Sequence, residues 1–171
     1  MIEPGSGDGI AGVSLPGEFY WVLRTPAPLA GMKYPRDGFP WGELAKVGFS
    51  QLVALHPGNY DPSPLSILSA EKLQDLVDGG PPRNPGREQE TIARIVRATV
   101  EALQAGKGVA IHCMGGRGRT GTVLGCVLRE LGYRPQDVVD YLDRVHKARG
   151  TAGWPESSWQ AQLVRAWRSH V

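Results

Sequence analysis

The segment Val109-Ala110-Ile111-His112, together with the loop and helix after it, limits the fold of this chain more than any other stretch. A short run without a polar face belongs in the middle of a sheet covered on both sides, and such sheets are mostly parallel. A glycine-rich loop comes next, then a helix from about Thr120 to Leu131 capped by Gly132. Parallel neighbours need crossover connections, usually helices, and the second half of the chain supplies them. Gln89 to Gln104 places Ile92, Ile95, Val96, Val100 and Leu103 on one helical face, stopped by Gly106 and Gly108. Pro135 opens a helix with Val138, Val139, Tyr141, Leu142 and Val145 as its apolar set, and a last helix bears Trp159, Leu163, Val164 and Trp167. The expected fold is a single α/β domain whose central, mostly parallel sheet is flanked by helices.

Twelve of the 14 prolines lie at or before Pro85, so the first half should be richer in loops. Phe19 to Leu23 and Leu29 to Met32 read as short strands, Trp41 to Val47 as a helix ended by Gly48, and Gln51 to Leu55 as a buried strand closed at His56-Pro57-Gly58. Ser69 to Val77 fits a helix face through Leu73, Leu76 and Val77, yet its neighbours suit a strand. Residues 1–17, with Gly5, Gly7, Gly9, Gly12 and Gly17, read as a mobile arm, leaving 18–171 as the folded domain.

Composition excludes several classes. Lys and Arg total 19 against 17 Asp and Glu, a net +2 without the basic excess of a nucleic-acid binder. With 41% hydrophobic and 21% charged residues the chain is not a disordered one. Apolar stretches such as Val123 to Leu128 are far too short to cross a bilayer, and Met1-Ile2-Glu3-Pro4 has no basic n-region. Two cysteines make no disulfide scaffold, so a reduced, cytoplasmic setting is expected.

The chemistry sits in His112-Cys113-Met114-Gly115-Gly116-Arg117-Gly118-Arg119-Thr120. Cys113 falls at the C-terminal end of a strand, where open α/β sheets bind ligands. Gly115, Gly116 and Gly118 permit backbone conformations that turn several N–H groups inward, and the following helix adds its positive end to the same point. A thiolate is favoured there. Arg119 can grip two oxygens of a tetrahedral oxyanion with its planar fork. Nucleophile, cradle and clamp together suit attack on a phosphate ester to give a phosphocysteine. Thr120 can donate to the sulfur as it later departs.

His-Cys-x5-Arg-Thr resembles the signature of the cysteine-based protein phosphatases, in particular their compact dual-specificity branch. The likeness extends over residues 29 to 171. Leu29-Ala30-Gly31-Met32 with Pro35 looks like the family's opening strand, Val77-Asp78-Gly79-Gly80-Pro81-Pro82 resembles its general-acid loop, and Glu156-Ser157-Ser158-Trp159-Gln160 is similar to the approach to its last helix. The resemblance implies a two-step transfer to water without metal or cofactor. It implies as partner a phosphorylated protein, carrying phosphotyrosine or phosphoserine/threonine, or another acidic phospho-ligand. Cys113 would attack, and Met114, Gly115, Gly116, Arg117, Gly118 and Arg119 would hold the phosphate. His112 would tune the thiolate without acting as a base.

The proton donor is expected to be Asp78, 35 residues before Cys113 in a glycine- and proline-rich loop; Asp75 is the competitor and Asp61 a third candidate. Arg117 adds a second loop cation, either solvent-facing or favouring phosphoinositides and other acidic substrates. Gln160 either touches the site or lies on the helix surface. Cys126 reads as core, with a disulfide to Cys113 as the alternative. His56, His146 and His170 lack metal-ligand spacing and read as structural or exposed. Gly116-x-Gly118-x-x-Gly121 spells a dinucleotide fingerprint, but the acidic residue ending a second strand about 20 residues on is missing. A phosphate-binding module without turnover is the remaining rival class, and intact Cys113, Arg119 and Asp78 count against it.

Overall fold

The two halves of the chain meet in a five-stranded sheet. A computed structural model describes residues 9, 10, 12–15 and 17–169. β1 (Gly9–Ile10) and β2 (Val13–Ser14) form a small antiparallel pair turned at Gly12, whose φ is +82°. β3 (Phe19–Leu23), β4 (Leu29–Met32), β5 (Phe49–Ala54), β6 (Ser66–Ser69) and β7 (Gly108–His112) make the main sheet in the order β3-β4-β7-β5-β6. Only β3 runs antiparallel to its neighbour; the other pairs are parallel. The sheet is therefore mixed and mostly parallel, with fully buried β7 at its centre, as its lack of a polar face demands.

Strand residues alternate between two cores. Tyr20, Val22, Leu29, Val53, Val109 and Ile111 face the helices α2 (Pro85–Gln104), α3 (Gly118–Glu130), α4 (Pro135–Ala148) and α5 (Ser158–Ala166). Phe19, Trp21, Ala30, Met32, Leu52 and Ala110 face the other way, against Trp41 and Leu44 of α1 (Trp41–Lys46). Ile10 and Leu15 are buried in this second core. Part of the expected arm is thus packed and paired, while residues 1–8, 11 and 16 lie outside the described residues.

Register places the site. Met32 of β4, His112 of β7 and Ala54 of β5 lie side by side, so three parallel strands finish level. The segments starting at Lys33, Leu55 and Cys113 all emerge from this edge. Leu55 N still donates to His112 O at 2.9 Å, and Tyr34 N donates to Met114 O at 2.9 Å. Those bonds tie the neighbouring loops to the one that carries Cys113.

Two elements differ from the sequence expectation. The ambiguous stretch 69–77 is neither helix nor strand; β6 ends at Ser69, and of residues 70–77 only Leu73 is buried. A helix there would need Leu76 and Val77 buried as well, and Val77 is 41% exposed. α2 begins at Pro85, four residues earlier than Gln89, because the Asn84 side chain accepts from Arg87 N at 3.1 Å and Pro85 occupies the first turn.

Candidate active site

Cys113 is the first residue beyond β7 and is buried, 3% exposed. The chain then turns through Gly116, whose φ is +70°, and enters α3 at Gly118. A side chain at Gly116 would also collide with the Met32 carbonyl, since an added Cβ would lie 2.6 Å from it. That position requires glycine on both counts. No side chain caps the start of α3, so its first-turn N–H groups point from the helix toward the loop unengaged by a cap.

Two side chains, one buried and one half-buried, hold the loop from beneath. Tyr20 Oη donates to Gly116 O at 2.6 Å. Its ring fits there because position 31 is glycine; an added Cβ would lie 2.2 Å from the ring. Arg149 of the α4 C-terminus lies over the Tyr20 ring, 4.4 Å from its centroid, and donates to Gly116 O at 3.2 Å and Gly115 O at 3.4 Å. Further bonds to Gly17 O and His146 Nδ1 hold the guanidinium. Carbonyls drawn down in this way leave their peptide N–H groups directed to the opposite, ligand side. Burial lowers the Arg149 pKa and raises that of Tyr20, and the nearby Cys113 sulfur favours the arginine cation.

His112 is fully buried; its Nδ1 lies 2.9 Å from Cys113 O and its Nε2 meets the Tyr60 hydroxyl. Since a carbonyl only accepts, Nδ1 carries the proton and Nε2 accepts from Tyr60. Burial above all keeps His112 below the ordinary histidine range, and burial with neighbouring Tyr34 pushes the Tyr60 hydroxyl up to about 12. The neutral imidazole therefore orients the Cys113 peptide. Tyr34 packs edge-on against His56, Tyr60 and His112.

Arg119 projects from the first turn of α3 and is only 13% exposed. Its Nη2 pairs with Asp75 Oδ1 at 3.0 Å, and its Nη1 approaches Leu73 O at 3.4 Å and His56 Nδ1 at 3.5 Å. Cys113, Gly115, Gly118, Arg119, Asp75 and Glu156 line one hollow of ≈ 240 Å³. Asp78 is elsewhere. With φ +48° it stands exposed at the tip of loop 75–83, lining a neighbouring hollow of ≈ 560 Å³ with Asp75, Lys72 and Arg83. Asp61 is held below its ordinary range by hydrogen bonds from Ser63.

The remaining candidates also have definite places. Arg117 is engaged beside the Cys113 hollow rather than within it: its Nε donates to Gly153 O and its Nη1 lies 3.5 Å from Glu156 Oε1, which lines the hollow. Thr120 is buried, and its hydroxyl has no hydrogen-bond partner among the described residues. Met114 is 51% exposed. Gln160 is buried rather than on the helix surface; its Oε1 accepts from Glu156 N at 2.8 Å. Cys126 is buried and free, its thiol pushed up by burial. His146 is buried, whereas His170 lies outside the described residues.

A family profile described as the Swiss Army Knife protein, DSP-PTPase phosphatase domain, matches residues 16–166. The chain belongs to this family. Among curated proteins, the human protein tyrosine phosphatase type IVA 3 is 31% identical over 109 residues, covering 63% of this chain and 60% of that protein. The match thus spans less than two thirds of its length. The phosphatase fold is shared with kinase associated phosphatase carrying a serine in place of its catalytic site cysteine (TM-score 0.63, 17% identity, 91% of this chain and 96% of that one). It is shared also with PTPMT1 in complex with PI(5)P (TM-score 0.60, 12% identity, 81% and 88%). Among the described residues no helix is long and apolar enough to cross a membrane.

The sequence pattern missed Tyr20, Arg149, Tyr60 and the Asp75 pairing. Tyr20 and Arg149 stand 96 and 33 residues from Gly116. No local periodicity reports contacts of that range. The one available signal was Gly31 opposite Tyr20 in the β3–β4 ladder, a glycine inside a strand that marks a close approach.

Proposed function

We propose that this chain hydrolyses phosphate monoesters on protein side chains through a phosphocysteine. The observation that supports this best is the convergence of a buried cysteine, an uncapped helix start and a shielded arginine on one ≈ 240 Å³ hollow. In the first step the Cys113 thiolate forms an S–P bond as the ester P–O bond breaks. Arg119 and the loop N–H groups carry the charge on the phosphoryl oxygens, and Asp78 gives its proton to the leaving oxygen. In the second step Asp78 takes a proton from water, the resulting hydroxide adds to phosphorus, and the S–P bond breaks. Inorganic phosphate and the thiolate result, and the Thr120 hydroxyl donates to the departing sulfur.

Asp78 is preferred to Asp75 for a geometric reason. Asp75 occupies a guanidinium N–H that a phosphoryl oxygen needs, so substrate must displace it from the clamp. Loop 75–83 is fastened at its neck, where Gln74 N donates to Glu88 Oε1 at 2.8 Å and Asn84 N donates to Gln74 Oε1 at 3.2 Å. A loop fixed at both ends, with Asp78-Gly79 in the left-handed region at its tip, can swing the tip carboxyl over the hollow. Cys113→Ser tests the reading: turnover should vanish while phosphate and vanadate still bind, and residual activity above roughly 1% of wild type would exclude the covalent route.

A further inference from the structure

The Cys113 hollow contains more negative charge than a phosphate site requires. Glu156 lines it, with Oε1 3.5 Å from Arg117 Nη1. Its Oε2 crowds the start of α3, where an added Cβ at Gly118 would lie 2.4 Å away. Glycine there leaves space for the carboxylate. The segment is fastened as well: Glu156 N donates to Gln160 Oε1 at 2.8 Å, and Arg117 Nε donates to Gly153 O. Glu156 is itself 37% exposed, so its charge is felt at the mouth of the hollow. Arg117 is the loop cation not gripping the expected phosphoryl position, and it is engaged on two sides.

A second phosphate beside the scissile one would have to find a cation near this mouth. Arg117 is the loop's cation for that role, and Glu156 both neutralises it and repels the incoming anion. Asp75, 71% exposed, adds a second carboxylate to the lining, and Leu76 is the apolar side chain beside it. We propose that Glu156 is a specificity-determining residue that restricts the site to esters whose phosphoryl group has no phosphorylated neighbour. This deepens the phosphatase reading and rests on it for the location of the scissile group. One charge a few ångströms from a neighbouring dianion, at near-solvent dielectric, alters affinity about three- to tenfold.

The test compares two peptides of the same sequence, one with a phosphotyrosine alone and one with a phosphothreonine next to it. Wild type should favour the first. Glu156→Gln should raise the kcat/KM ratio of the doubly to the singly phosphorylated peptide about fivefold, and adding Arg117→Met should abolish the gain. A ratio unmoved by Glu156→Gln, or a gain that survives loss of Arg117, overturns the proposal. The same ratio read as peptide Kd on Cys113→Ser proteins, with and without Glu156→Gln, separates the two levels. If wild type hydrolyses neither peptide, the phosphatase reading falls, while the Kd ratio still decides the role of Glu156.

Discussion

Asp75→Asn distinguishes the two carboxylates of loop 75–83 by the sign of its effect. In the structure Asp75 Oδ1 lies 3.0 Å from Arg119 Nη2, with the aspartate side chain 71% exposed and the arginine 13% exposed. Exposed pairs contribute about 0.2–1 kcal/mol. The shielding of Arg119 places this one in the upper half of that range, about 0.5–1 kcal/mol once solvent is allowed for. Phosphate must break the pair to reach the arginine, so that amount opposes binding. Its removal should tighten inorganic phosphate, and lower KM, about two- to fivefold at 1.4 kcal/mol per decade. kcat should stay within about twofold, because the carboxylate takes no part in proton transfer in this reading. The gain should shrink in concentrated salt, which already screens the pair.

The assay is phosphate inhibition and steady-state kinetics on a tyrosyl phosphate and on an activated aryl phosphate, at low and high salt. Asp78→Asn, run in parallel, should lower kcat by about 10²–10⁴ on the tyrosyl ester and far less on the activated one, whose phenolate leaves without a proton. If Asp75→Asn instead shows the leaving-group-dependent loss of kcat and Asp78→Asn does not, the assignment is wrong and Asp75 is the acid. If Asp75→Asn leaves phosphate affinity unchanged at low salt, the pair does not compete with substrate.

Arg119→Lys should lose most kcat/KM although the charge is kept, since an ammonium cannot grip two oxygens in one plane; steady-state kinetics check it. Arg149→Met should weaken phosphate binding by about tenfold or more, read by calorimetry, and Tyr20→Phe by less, because each releases a loop carbonyl from below. Gly125→Ala should destabilise the fold by about 1–3 kcal/mol in denaturant titration, as an added Cβ would lie 2.6 Å from Val164. Burial, with Arg149 and Arg117 nearby, holds His146 at about 3 against an ordinary 6.5. The unfolded chain therefore takes up a proton that the native state refuses, and stability should fall as pH drops from 6.5 toward 3, by up to about 1.4 kcal/mol per unit. Thermal melts of His146→Gln should show a shallower acid limb, with His112, also lowered by burial, accounting for part of what remains.

The fold was legible wherever one residue pattern answers to one environment. Val109 to His112 has no polar face, and it lies between β4 and β5 with both faces covered. The helical faces of α2 and α4 carry the same apolar residues that the structure buries. Legibility failed at 69–77, where local preference was balanced and the outcome depends on partners far off in sequence. Leu73 is fixed through Leu55 O, and Gln74 through Glu88. The N-terminal glycines were equally ambiguous, since a glycine that loosens an arm also makes a turn, and Ile10 and Leu15 supplied the apolar contacts that decide for pairing.

The signature loop shows where the limit lies. Cys113, Arg119 and the glycines between them form a local pattern, because a loop that cradles an anion must bring its own amides, its own nucleophile and its own clamp within one short stretch of chain. The order of those amides is not local. A run rich in glycine has many conformations, and the cradle is one of them. Tyr20 and Arg149 select it by holding the carbonyls of Gly115 and Gly116 from below. Arg149 is a half-buried cation whose hydrogen-bond partners among the described residues are carbonyls and a histidine nitrogen, with no carboxylate. An anion above the loop, thiolate or phosphoryl, therefore offsets a charge that burial alone disfavours. In this arrangement loop order and anion affinity are two consequences of the same half-buried arginine.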